Sequence, residues 1–259
     1  MPTRSLETQS VRKEYPGTVA LRDISVRFEG GRIHAIIGKN GAGKSTLVKV
    51  LSGAIPCTSG TILVTGEPVQ LRSPKEALLK GIVAVYQELS LVPEMSVAEN
   101  IFLGRLPRKQ GLGRVMVDWP KVFGHAEQVL ERLQVDIDVR ARASSLGVAR
   151  QQVVEIARAM SYNPSVLMLD EPTSALSRNE TEHLFALLRT LAAQGVVLLY
   201  ITHRLQDLFL VCDRLVVLYE GRRVAERLIG ETTIEEVVNL IVGRKFHSPS
   251  ASYQAGAPL

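Results

Sequence analysis

The chain has 259 residues, 46% of them hydrophobic, and a formal charge of +5, which is ample apolar content for one large α/β domain or two small ones. Its Lys and Arg are scattered among acids, so the basic balance reads as a solvated surface and not as a nucleic-acid or lipid-binding stripe. Met1–Ser10 holds no apolar signal region, no apolar run approaches the ~20 residues of a spanning helix, and Cys57 and Cys212 have neither metal-ligand spacing nor a disulfide framework, so a chain of the reducing cytoplasm is expected, neither secreted nor membrane-spanning.

In chain order, Leu6 to Tyr15 and Ala20 to Phe28 alternate like half-exposed antiparallel strands, with turns at Pro16-Gly17 and Gly30-Gly31. Tyr15 can be read either as a strand-edge ring that stacks on a purine or as a half-buried strand tyrosine. Ile33 to Ile37 reads as a buried strand. It runs into Gly38-Lys39-Asn40-Gly41-Ala42-Gly43-Lys44-Ser45-Thr46, the spacing of a phosphate-binding loop. Leu47 to Leu51 reads as the first turns of a helix, so the loop joins strand to helix as the motif requires. Backbone N–H groups of such a loop turn toward phosphate oxygens, and the helix N-terminus adds partial positive charge. Lys44 is placed to reach the β and γ phosphates and the Ser45 hydroxyl to bind Mg²⁺.

Thr61–Val64 and Pro68–Leu71 form a second hairpin-like pair around Gly66, Pro74–Lys80 a short helix, and Ile82–Tyr86 a buried strand ending at Gln87. From about residue 88 to 163 the pattern turns helical. Ser96-Val97-Ala98-Glu99 has the residue types of a capping box, Arg105–Arg114 reads as a loop with solvated charges, and Asp118–Leu133 and Gln151–Met160 carry core residues at helical spacing. Val166–Leu169 is an apolar strand ending in Asp170-Glu171. An acid there can hold a Mg²⁺ shell and a second one can orient or deprotonate a water; these roles are assigned to Asp170 and Glu171 respectively. A helix over Asn179–Ala193, a strand over Val196–Ile201 and a strand over Arg214–Glu220 follow. His203 lies just past the second of these elements and by itself reads as a cap or packed polar residue. A last helix around Glu235–Val242 closes the fold, and Ser248–Leu259 has the composition of a disordered tail.

The order of phosphate loop, Gln87, signature-like helix, Asp170-Glu171 and His203 resembles that of ATP-binding-cassette (ABC) ATPases, over nearly the whole chain. Ser73-Pro74 through Gly81-Ile82, Val85 to Leu89, Leu91-Val92-Pro93 and Ser96 to Gly104 look like the branch that serves importers of ribose, galactose and xylose. The resemblance implies an α/β P-loop fold with a mixed sheet core, an antiparallel β subdomain and an inserted helical subdomain at about 88–163, a nucleotide-binding domain over 1–245, and a tail at 246–259. It further implies ATP and Mg²⁺ as ligands, with Tyr15 stacked on adenine and Gln87 sensing the γ-phosphate beside the metal and coupling to a permease. Glu171 becomes the general base, and His203 a γ-phosphate contact. The implied setting is the cytoplasmic face of the membrane, peripheral, beside permease subunits, an external sugar-binding protein and a second ATPase domain, with no nucleic acid. The residues by themselves support only a Mg²⁺-dependent nucleotide hydrolase.

This chain departs from that family in three places. One phosphate loop is present where many members of the branch carry two cassettes, so pairing with a second copy or a different subunit is expected. The signature, usually Leu-Ser-Gly-Gly-Gln, reads Leu146-Gly147-Val148-Ala149-Arg150, and Ser177 stands where Asp is common. A nucleotide-dependent regulatory module with weak ATPase is one alternative. A soluble cassette acting on DNA or ribosomes is another, disfavoured by the lack of a coiled-coil insertion or concentrated basic arm.

Overall fold

The computed structural model describes residues 4–109 and 116–243; the tail expected at 246–259 and residues 110–114 of the predicted loop lie outside them. The N-terminal half runs β1 (Ser5–Tyr15), β2 (Thr18–Glu29), β3 (Ile33–Ile37), α1 (Lys44–Leu51), β4 (Ser59–Val64), β5 (Glu67–Val69), α2 (Pro74–Leu79), β6 (Ile82–Val85), α3 (Val97–Ile101) and α4 (Trp119–Arg132). It continues through α5 (Val148–Met160), β7 (Val166–Asp170), α6 (Arg178–Ala193), β8 (Val197–Ile201), α7 (Leu205–Val211), β9 (Arg214–Tyr219), β10 (Arg222–Leu228) and α8 (Ile234–Val242).

Two sheets result. The half-exposed strands pair antiparallel in the order β2-β1-β4-β5, and the apolar ones build a six-stranded sheet in the order β10-β9-β3-β8-β7-β6. In the second sheet every pairing from β9 to β6 is parallel, and β10 adds an antiparallel edge. Near-continuous apolar runs are what a parallel sheet covered on both faces demands. Side chains alternate across such a sheet, and the two cores divide accordingly. Leu167, Leu169, Leu198 and Tyr200 face the helices α3 to α6, while Val166, Met168, Val197 and Leu199 face α1 and the antiparallel sheet. All eight are at most 1% exposed, so a change such as Leu198→Ala would cost about 2–5 kcal/mol.

The helical insertion forms between β6 and β7 for local reasons. Ser96 accepts from Glu99 N–H while Glu99 accepts from Ser96, a complete capping box that starts α3. Asp118 caps α4, whose buried Val122, Ala126 and Leu130 repeat at four-residue spacing. α5 begins at Val148, three residues before the predicted start, with Gly147 as a cap lacking any side-chain hydrogen bond.

Three expectations need correction. α7 and the edge strand β10 escaped the sequence reading. Arg105, read as solvated, is instead sandwiched: its guanidinium lies 4.7 Å from the Phe102 ring centroid and 3.8 Å from that of Tyr162, and it donates to the Ile101 and Ser161 carbonyls. The planar, weakly hydrated guanidinium packs on rings in a way that a lysine ammonium would not.

Candidate functional site

The sheet register builds the site. Ile36 of β3 pairs with Ile201 of β8, and Ile201 pairs with Asp170 of β7. The loop after β3 and the acid ending β7 therefore stand two strand spacings apart, about 10 Å, beyond the carboxyl ends of parallel strands where α/β sheets hold ligands. A cavity of ≈ 650 Å³ occupies this gap, lined by Asn40, Gly41, Gly43, Lys44, Ser45 and Thr46 on one side and Asp170 and Glu171 on the other.

Glycine is needed at two points of the loop. Gly43 caps α1 at φ 104°, where a β-carbon would sit 2.8 Å from the Ala20 carbonyl oxygen, and a β-carbon on Gly38 would collide with the Leu218 carbonyl. Ala42 is buried and accepts from Gly221 N–H at 3.1 Å, so the β9–β10 turn braces the loop from below. The first N–H groups of α1 have no intrahelical partner and lie along the cavity.

Lys44 Nζ donates to the carbonyls of Gly38 at 2.7 Å and Lys39 at 3.1 Å. Burial pulls the Lys44 pKa below the ordinary lysine value, while the charges of Glu171 and Asp170 oppose that fall. Asp170 is pushed above the usual carboxyl range by burial first and the Glu171 charge second, with Lys44 and Lys49 opposing. One cation and two acids thus feel one another across the cavity, an arrangement suited to a polyphosphate and a divalent cation between them.

Glu171 adopts φ 49°, a left-handed conformation uncommon outside glycine, and its N–H donates to Ile201 O at 2.8 Å. Its carboxylate Oε1 lies 2.8 Å from His203 Nδ1, an exposed imidazole. Held strain at a polar residue facing a cavity is a common mark of function.

The structure brings together only part of the predicted set. The loop residues from Asn40 onward, Ala42 excepted, line the cavity with Asp170 and Glu171, and His203 joins through Glu171. Tyr15 and Gln87 do not line it. Tyr15 is 41% exposed at the tip of the β1–β2 hairpin with the Lys13 ammonium 5.2 Å from its ring, although its pairing partner Thr18 does line the cavity. Gln87 is exposed just past β6, one strand farther out than β7. Lining residues missed by sequence reasoning are Thr18, Val19, Ala20, Arg22, Ile201, Glu220 and Gly221. No motif marks them. Ile201 arrives through the sheet register, and the others because Arg22 N–H donates to Gly221 O at 2.6 Å, stapling β2 to the turn under the loop.

The two altered segments differ in consequence. Ser177 caps α6 in a full capping box with Glu180, so it supplies the N-cap oxygen an aspartate would supply. Gly147 supplies none to α5.

Comparison with known proteins agrees with this architecture. The family model described as ABC transporter matches residues 21–174. A ribose import ATP-binding protein from Hahella chejuensis is 42% identical over 254 residues, covering 98% of this chain and 50% of that protein. A xylose import ATP-binding protein from Thermoanaerobacter pseudethanolicus is 41% identical over 255 residues, covering 97% of this chain and 50% of that protein. The chain thus spans about half the length of these curated relatives. Among solved structures, a nucleotide-free ATP-binding cassette from an ABC transporter superimposes with a TM-score of 0.78 at 28% identity, covering 92% of this chain and 95% of that one. With its mixed sheet, antiparallel sheet and phosphate loop, and with the family model matching more than half of its length, the chain belongs to the ABC transporter family.

Proposed function

We propose that this chain binds and hydrolyses ATP to energise import of a monosaccharide through a membrane permease, acting at the cytoplasmic face as one of a pair of cassettes. One arrangement carries the reading: Lys44 and the α1 N-terminus on one side of a single cavity, with Asp170 and Glu171 on the other. Sugar as cargo is supported by the ribose and xylose import relatives. No described helix is long and apolar enough to cross a membrane.

Within this reading residues 1–245 act as the nucleotide-binding domain. The loop N–H groups and Lys44 hold the β and γ phosphates, and the Ser45 hydroxyl and Asp170 fit a Mg²⁺ ion. Mg²⁺ typically takes one or two protein oxygens and fills its octahedron with phosphate and water, and a hydroxyl and a carboxylate on facing walls are such a set; bound there, the ion neutralises charge on the transferring phosphoryl group. Glu171 orients a water and accepts its proton, and His203 holds the Glu171 carboxylate while offering its other ring nitrogen to the γ-phosphate. Tyr15 and Gln87 join only with a change of position, Tyr15 onto adenine and Gln87 to the metal and γ-phosphate.

The uncapped Gly147 favours a second reading, a module that closes on ATP and hydrolyses it slowly. The two are separated by measuring phosphate release from Mg²⁺-ATP by the purified chain, alone and in vesicles with the permease. Lys44→Ala should weaken ATP binding measured by calorimetry, because it removes the cation set against the phosphates. Equal ATP affinity of Lys44→Ala and the parent chain would remove the site assignment.

A further inference from the structure

A buried polar cluster that the proposed chemistry does not use directly lies within a few residues of Glu171 and His203 in the chain. Asp207 of α7 is 2% exposed. Its Oδ2 accepts from Thr173 Oγ1 at 2.6 Å and from Tyr200 OH at 3.0 Å, and its Oδ1 faces Arg204 Nε at 3.7 Å. Arg204 also donates through Nη1 to the Thr173 carbonyl at 2.9 Å. Burial holds the Tyr200 phenol far above its ordinary pKa, so it remains a donor. Thr173 and Tyr200 are fully buried, and a buried carboxylate with two hydroxyl donors and a guanidinium is a connected network rather than a stray charge.

Its position in the chain is what matters. Thr173 follows Glu171 by two residues, Tyr200 precedes His203 by three, Arg204 is the residue after His203, and Asp207 belongs to the helix that follows. Asp207 thus ties Thr173 of the loop after β7 to Tyr200 near the end of β8 and to Arg204 of the loop after β8, and the side chains of those two loops meet at Glu171 and His203. Next to the cluster in the chain, Glu171 N–H donates to Ile201 O at 2.8 Å, and Glu171 is in a left-handed conformation that its surroundings must hold.

We infer that Thr173, Tyr200 and Asp207 are positioning residues that set the Glu171 carboxylate against the His203 imidazole, so that the loop after β7 and the loop after β8 move as one unit. The inference rests on the proposed ATP hydrolysis, in which Glu171 accepts a proton from water; the cluster itself touches no reacting atom. A purely structural role would change stability and leave turnover per folded molecule alone.

Thr173→Val keeps the side-chain shape and deletes the hydroxyl, whereas Thr173→Ser keeps the hydroxyl. Thr173→Val should lower kcat about 10- to 100-fold, the size of effect expected from a reacting group displaced by about 1 Å, with ATP affinity by calorimetry unchanged and the folded fraction checked by melting. Thr173→Ser should retain most of the parent rate. In a His203→Ala background, Thr173→Val should cause little further loss, because the contact it positions is already gone. A side-chain nitrogen NMR signal from His203 should move in Thr173→Val in the same direction as in Glu171→Gln; this readout needs no turnover. Absence of ATPase in every form of the chain would overturn the proposed function and leave the NMR result to decide the positioning role. Parent-like kcat in Thr173→Val, losses that multiply with those of His203→Ala, or a His203 signal blind to Thr173→Val would each overturn the inference.

Discussion

Glu171 Oε1 and His203 Nδ1 are 2.8 Å apart although 32 residues separate them in the chain, and the pairing follows from β7 and β8 being adjacent parallel strands of matched register. A carboxylate so held at the edge of the cavity that the 38–46 loop lines is oriented before substrate arrives. Glu171→Gln preserves the size of the side chain and cannot accept a proton, so ATP binding should persist while turnover falls about 10²- to 10⁴-fold, the usual range for loss of a general base. Single-turnover hydrolysis at the parent rate would exclude Glu171 from that role.

Gly147 caps α5 at φ −64° and ψ 158° with open space where a β-carbon would go. Serine therefore fits without strain, and Gly147→Ser should stabilise the chain by a few tenths, about 0.3 kcal/mol, by supplying the missing N-cap oxygen. Combined with Ala149→Gly, it returns the second and fourth positions of the signature to Ser and Gly while Val148 and Arg150 stay, and ATPase measured at matched dimer populations should rise several-fold. Equal rates would mean that the altered signature does not limit turnover.

The surface after β6 supplies a prediction about coupling, and the structure decides which residue can test it. Glu99 accepts from both the N–H and the hydroxyl of Ser96, so its charge reversal would damage α3 and confuse the readout. Glu88 is exposed. Glu88→Lys should change stability by no more than about 0.5 kcal/mol and leave basal ATPase intact, while transport by the reconstituted complex falls. Full transport by that variant would place the permease contact elsewhere.

His34 is 1% exposed in β3, edge-on to Phe28 at 5.3 Å, with Nε2 3.0 Å from both backbone polar atoms of Glu29. Burial lowers its pKa below the ordinary histidine value, against the hydrogen bond to Glu29, which raises it. The folded chain thus binds this proton less readily than the unfolded chain, whose histidine titrates near ~6.5. The contribution is present above that pH and is lost as pH falls below it. Denaturant titrations at pH 7.5 and 5.5 should show a smaller loss of stability for His34→Gln than for the parent. An identical loss would show that other groups carry the acid sensitivity.

Much of this molecule was legible in the sequence because the information is local. The phosphate loop, the capping box at Ser96 and the apolar runs of β3, β7 and β8 are each defined by residues within a few positions of one another, and backbone geometry acts over that range. The helical insertion was legible for the same reason, through the four-residue spacing of Val122, Ala126 and Leu130. β10 was not. Its sequence Arg222–Leu228 has a single buried residue, Ala225, so it carries no hydrophobic pattern and exists because the Gly221 turn returns the chain along β9. α7 is seven residues long, too short for a periodic signal to stand out. Tertiary structure alone decided which candidates meet. Sheet order brought Asp170 and Glu171 opposite Lys44 and set His203 on Glu171, and it carried Arg22 and Glu220 to the same cavity. It left Tyr15 on a hairpin tip and Gln87 one strand too far out. Spacing along a chain specifies local geometry, whereas distance across a sheet depends on strand order, which only the packing of the whole chain determines.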